Sequence, residues 1–152
     1  MSDKNEVTAP YRSLQLYDIR EFEVGEAYYI KDELIRIPTI DRSTEERNYH
    51  PGRRVVIAHN SNLNADPTWP LVHVAPLSHR VDLMRETDIE VTTNPDDGDG
   101  VAVDSIIQLA LVQPVLKVDL ERKVGKLSRE KIAEMLALQE DMLLGEVEPL
   151  EE

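Results

Sequence analysis

Gly52-Arg53-Arg54-Val55-Val56-Ile57-Ala58 and Leu71-Val72-His73-Val74-Ala75-Pro76-Leu77-Ser78-His79-Arg80 are the two stretches on which the reading of this chain turns. Each holds a run of β-branched and other apolar residues with the length of a buried strand. The first opens on two guanidiniums, and the second closes on a hydroxyl, an imidazole and a third guanidinium. If the two strands pair antiparallel, Arg53 and Ser78 meet at one edge of the sheet. A planar cationic fork beside a hydroxyl suits a phosphate.

Outward from this pair, Gly25 to Ile30 reads as an earlier strand, and Asp88 to Thr93, Val101 to Leu111 and Pro114 to Val118 as later ones. Asn94-Pro95-Asp96-Asp97-Gly98-Asp99-Gly100 is a turn; it lacks the ligand spacing and terminal Glu of an EF-hand calcium loop. Short strands at close spacing indicate a small barrel or sandwich. The one strong helix is predicted over Arg129 to Leu144, with Ser128 as N-cap and Gly145 as stop. Ile132, Met135, Leu136, Gln139, Met142 and Leu143 are assigned to its inner face. The fold class is therefore mostly β, a barrel of five or six strands with a C-terminal helix. Residues 1–22 read as a weakly structured extension, 23–145 as the barrel domain and 146–152 as an acidic tail. Lys31 to Pro51 is a long connection whose apolar beat, Leu34, Ile35, Ile37 and Ile40, indicates that part of it packs. Connections of this length tend to carry function.

A chain of 152 residues supports one domain. It has no cysteine, which excludes a disulfide framework and thiolate zinc sites. No apolar stretch approaches the ~20 residues of a membrane span, and the N-terminus lacks a basic region followed by an apolar one, so a soluble cytoplasmic protein is expected. The formal net charge of −13 argues against broad binding to nucleic acid. The charge is uneven, however. Arg42, Arg47, His50, Arg53 and Arg54 cluster in one segment, whereas Asp82 to Asp104 and the tail are acidic. An acidic body with one basic mouth suits a short anionic segment.

In chain order, Gly25-Glu26-Ala27-Tyr28-Tyr29-Ile30, Gly52 to Ile57, Val72 to Ser78, Val101-Ala102-Val103-Asp104-Ser105-Ile106-Ile107 and Val124-Gly125-Lys126-Leu127-Ser128 ahead of the helix resemble the PemK/MazF toxin family. The resemblance spans roughly Val24 to Gly145. It implies an SH3-like barrel of the CcdB/PemK/MazF type, usually a homodimer, that cleaves single-stranded RNA without metal or cofactor and is inhibited by an antitoxin. By motif position, the family's catalytic Arg falls on Arg53 and its hydroxyl residue on Ser78. Arg54 stands where members usually have Pro. Asp104-Ser105-Ile106-Ile107 stands where they often have Asp-Gln-x-Arg, so Ile107 replaces a cation able to contact phosphate.

Cleaving RNA through its own 2′-hydroxyl requires a base for that proton, an acid for the leaving oxygen and positive charge on the transition state. Arg53 suits the last role. Ser78 can orient the phosphate or ribose, but with no activating partner in view it is not a nucleophile. Asp104 is a candidate base. His50 and His79 are alternatives, since imidazole titrates near neutral pH and positioned proton transfer contributes about 10² to 10⁴ in rate. The candidate catalytic set is thus Arg53, Ser78 and Asp104, with Arg47, His50, Arg54 and His79 around the substrate. No metal-ligand motif is visible. Loss of Arg53 or Ser78 is expected to abolish cleavage without unfolding the protein. An antitoxin segment is expected across Arg47, His50, Arg53 and Arg54, and Ile106, Ile107, Leu109, Leu111 and the Met135/Met142 face are expected to supply a homodimer surface. Two alternatives stand beside the nuclease: a CcdB-like non-enzymatic inhibitor of a target protein, and a degenerate PemK-like binding module. The Arg53/Ser78 pair favours the nuclease, while Ile107 and the net acidity favour the degenerate module.

Overall fold

Successive residues of a strand face opposite sides of a sheet, and in the segment Arg53–Ile57 both sides are apolar, so this strand must be covered on two faces. The computed structural model, which describes residues 14–38, 49–92, 98 and 101–150, places it at the centre of the sheet. The strands are β1 Glu26–Ile30, β2 Arg53–Ile57, β3 Leu71–Ser78, β4 Asp88–Val91, β5 Ser105–Gln108, β6 Gln113–Leu116 and β7 Lys123–Lys126, followed by the helix α1, Arg129–Leu144. The sheet order is β4-β5-β3-β2-β1-β7, and all pairings are antiparallel. The eight-residue β3 is long enough to serve two partners on one side: Leu71 to Val74 pair with β6, and Leu77 and Ser78 with β5. This split and a register shift between Ala27 and Tyr28 curl the sheet into a half-barrel. The turn at 94–100, apart from Gly98, and the connection 39–48 lie outside the described residues, and so does Arg47.

One face of the sheet, carrying Ala27, Val56, Ala75, Leu77 and Ile107, is closed by α1 through Met135. The other, carrying Tyr28, Ile30, Val55, Ile57, Val72 and Val74, is closed by Phe22, Ile35 and Leu120. Ile35 shows that the long connection after β1 does pack. Ile106, Ile107, Leu109 and Met135 are each at most 2% exposed, so they fill the protomer's own interior and are not available as a surface between two copies. Burying them is what a sheet with two apolar faces demands. Among the described residues no helix is long and apolar enough to cross a membrane.

The helix begins and ends where its caps dictate. Ser128 Oγ accepts the Lys131 N–H at 3.2 Å, and Gly145 turns the chain out with φ of 70°. Its inner face is Ile132, Met135, Leu138, Gln139 and Met142, with the Gln139 amide donating to the Ala58 carbonyl at 2.8 Å. Leu136 and Leu143 are instead 42% and 87% exposed. Each follows a central Met by one residue and so stands about 100° round the helix from it. Where α1 crosses the start of β1, Gly25 has φ of 89°, and a Cβ there would lie 2.5 Å from Ile132 Cδ1. Gly25→Ala is therefore expected to cost about 2 kcal/mol or more, from the left-handed backbone and the collision together. Chemical denaturation checks this, and adding Ile132→Ala should relieve the collision but not the backbone strain.

Of residues 1–22, those from Leu14 onward are described, and they are tied to the far end of the chain. Arg20 pairs with Asp18 and donates to the carbonyls of Leu120 and Lys117, both at 2.8 Å. Lys117 is fully buried, and its ammonium donates to the carbonyls of Leu63 at 2.6 Å and Asp66 at 2.9 Å. A buried charge is tolerated when its donors are satisfied, and here the turn after β2 supplies the acceptors.

Candidate functional site

Arg53 opens β2, opposite Ile30 of β1. On its other side the register pairs Val55 with Pro76 and Val56 with Ala75. The pairing of β2 with β3 stops at Val55, but Arg53 Nη1 reaches the carbonyl of Leu77, the residue before Ser78, at 2.9 Å, so both candidate residues lie toward the end of the sheet where β1, β2 and β3 give way to loops.

The guanidinium is held firmly. Its Nε donates to Asp32 Oδ1 at 2.5 Å, and its Nη1 donates to the Leu77 carbonyl at 2.9 Å. Asp32 lies in the short 3₁₀ turn directly after β1, is 1% exposed, and accepts the His50 backbone N–H on Oδ2 at 3.0 Å. One carboxylate therefore fixes the arginine and the returning chain. The Arg53 side chain is 15% exposed, so it presents an edge rather than a mobile head. Among the described residues Nη2 meets no acceptor. Such a fork is preorganised for an incoming phosphate oxygen.

Ser78 Oγ accepts the Arg80 N–H at 3.2 Å, which leaves its proton to donate. The His50 and His79 side chains are exposed beside this end of the sheet. Arg80 is tied to Asp82 at 2.9 Å on the surface, and its hydrogen bond holds the Asp82 carboxyl below the usual range. Asp104 is exposed and stands two residues before Ile106, the residue paired with Ser78.

Two expectations change. Ile107 is fully buried between Leu77 and Ile89, so a cation at that position of β5 would point into the core and not toward a phosphate. It marks no lost contact. Arg54 lies on the face opposite Arg53, beside Tyr29, its guanidinium 5.8 Å from that ring. Alternation along β2 therefore prevents Arg53 and Arg54 from lining one wall of a single mouth.

Asp32 was missed by sequence reasoning. Its signal is an acidic residue immediately beyond a strand whose last residue, Ile30, pairs with Arg53. Two histidines have structural surroundings. His59 packs its ring 4.8 Å from that of His73, and burial together with the His73 charge pushes its pKa down. At the opposite end of the sheet a groove is lined by Glu21, Glu23, Asn60, Asn62 and Asn64, and none of the candidate residues borders it.

The sequence matches the family model for the PemK-like, MazF-like toxin of type II toxin–antitoxin systems over residues 35–140, well over half of the chain. Among solved structures, it is similar to the Mycobacterium tuberculosis toxin MazF-mt6, with 22% identity over 62% of this chain and 87% of the other and a TM-score of 0.49. It is similar also to a second crystal structure, of an Mtb toxin, with 21% identity over 62% and 91% and a TM-score of 0.46. No curated protein matches it in sequence. The length of the family match settles the assignment: the chain belongs to the PemK-like, MazF-like toxins of type II toxin–antitoxin systems.

Proposed function

We propose that this toxin is an endoribonuclease that cleaves single-stranded RNA through the 2′-hydroxyl next to the scissile phosphate, with no metal in the reaction, and that an antitoxin segment silences it by covering the end of the sheet at Arg53 and His50. The observation that supports this reading is the anchored guanidinium of Arg53 at the same end of the sheet as Ser78. In the reaction a base removes the 2′ proton, the 2′ oxygen attacks phosphorus, and the bond to the 5′ oxygen breaks as that oxygen is protonated. Arg53 Nη2 and Nη1 grip the charge that builds on the phosphoryl oxygens, and the Ser78 hydroxyl donates to the phosphate or ribose. Asp104, His50 and His79 surround the same strand ends and are the groups for proton transfer. The toxin acts in the cytoplasm, where its RNA is found, and as a homodimer.

The test is incubation of purified protein with a fluorescent single-stranded RNA pool, with and without EDTA, alongside light scattering for mass. Cleavage is expected in both conditions, with RNA carrying 2′-O-methyl groups resistant and a mass of two chains. Uncut RNA at every pH, from protein shown to be folded, would overturn the nuclease reading and leave Arg53 and Asp32 as a structural pair in a toxin that acts by binding.

A further inference from the structure

On the sheet face opposite Arg53, Tyr29 carries two guanidiniums. Arg122 lies 4.5 Å and Arg54 5.8 Å from its ring centroid. The arrangement is built from the backbone: Tyr29 donates its N–H to the Arg122 carbonyl at 2.9 Å, and its own carbonyl accepts the Glu121 N–H at 2.7 Å. Gly52 makes room, since a Cβ there would strike the Tyr29 ring. Arg54 Nε is buried and has no hydrogen-bond acceptor. Among the described residues no carboxylate pairs with either arginine, in a chain with 30 acidic residues against 17 basic ones. Two like charges gathered on one ring, one with a buried donor that no protein acceptor meets, form a site suited to an anion.

From this we infer that Tyr29, Arg54 and Arg122 form a second phosphate subsite, which grips a phosphodiester of single-stranded RNA on one side of β2 while Arg53 and Ser78 engage a neighbouring one on the other. The inference rests on the nuclease reading for its substrate. A phosphodiester chain is favoured over an isolated anion because Arg53 and Arg54 are consecutive residues on opposite faces at the start of β2. A ligand with regularly spaced negative charges that crosses this end meets both. The ring positions the guanidiniums and does not itself need a hydroxyl.

The test is fluorescence anisotropy at several salt concentrations with a 2′-O-methyl single-stranded oligoribonucleotide, which binds without being cut, against the full chain and its variants. Arg122→Gln is expected to weaken binding about three- to tenfold and to lower the salt slope by about 0.7, the share of one phosphate on a single strand. Arg85→Gln, next to β4 at the far edge of the sheet, removes the same charge and should change neither value. Tyr29→Phe should bind as wild type, and Tyr29→Leu should lose affinity with its melting temperature monitored in parallel. Equal affinity and slope for wild type and Arg122→Gln would overturn the subsite even if wild type cleaves RNA. An Arg122-dependent slope in a protein that cuts nothing would uphold the subsite and reject the nuclease. If Arg122→Gln weakens a polyglutamate peptide and leaves the oligoribonucleotide unaffected, the site belongs to an acidic protein partner and the inference fails.

Discussion

Arg53→Ala is expected to destabilise the fold by about 3–5 kcal/mol, because it takes a charged, hydrogen-bonded donor from the Asp32 carboxylate, which is 1% exposed. This reverses the expectation that the arginine can be removed without harm to folding, and it makes loss of cleavage by that variant uninformative alone. Arg53→Lys separates the two roles. An ammonium can still face Asp32, but it cannot also reach the Leu77 carbonyl and present a free N–H outward. Cleavage should fall about 10²- to 10³-fold, the range for loss of one preorganised transition-state donor, with most of the stability retained. Replacing both partners, Asp32→Leu with Arg53→Met, should restore much of the stability lost in Arg53→Ala and none of the activity. Urea denaturation and single-turnover cleavage on the same samples measure both effects. A wild-type midpoint for Arg53→Ala would show that the buried pair contributes nothing to the fold.

Lys117→Met should lower stability by about 2–4 kcal/mol, since the carbonyls of Leu63 and Asp66 lose a shared charged donor that is fully buried. For a domain of this size that corresponds to roughly 10 °C in melting temperature. Cleavage per folded molecule should be unchanged, because Lys117 follows β6 beside the Leu71 end of β3, away from Ser78. The neighbouring Asp18 adds a pH dependence. Burial raises its carboxyl, but hydrogen bonds and charge from Arg20, with the charge of Lys117, outweigh burial and hold it below its ordinary 3.8. A carboxylate lowered in the fold stabilises above its unfolded pKa and loses that contribution as pH falls through the folded value. Wild type should therefore lose stability below about pH 3.8, and Asp18→Asn should lack that part of the loss. A flat difference between the two across this range would remove the ion pair from the account.

What could be read from the sequence was local. Ser128 and Gly145 fix α1 to the residue because caps act within one turn, and β2 and β3 are legible because their apolar runs are continuous. Lys123-Val124-Gly125-Lys126 was not read as a strand in its own right, since its one apolar side chain gives no periodicity; it becomes a strand by pairing with β1. Leu136 and Leu143 were placed inward because a helical stripe read from sequence has no partner to fix its centre. Of the candidate site, the placing of Arg53 and Ser78 at strand ends is legible in the sequence, whereas the Asp32 partner of Arg53 acts across 21 residues of chain; in the core, Lys117 acts across 51 and 54. No local pattern encodes such pairings. Adjacency of Arg53 and Arg54 in sequence does not carry into space, because consecutive residues of a strand face opposite sides of the sheet.

The span of chain between contacting elements sets an order of assembly. β1 finds its outer partner in β7, Glu26 is bonded by Lys123 from 97 residues away, and Arg20 reaches the Leu120 carbonyl across 100. During synthesis the strands bearing Arg53 and Ser78 emerge early, yet the covering of their sheet and the Arg122 side chain arrive only in the last third of the chain. Contacts of such separation form late and slowly. A chain cut short after β3 would therefore carry the strands of Arg53 and Ser78 without the outer partner of β1, without α1 and without the Arg122 side chain, and is expected not to hold those strand ends in place.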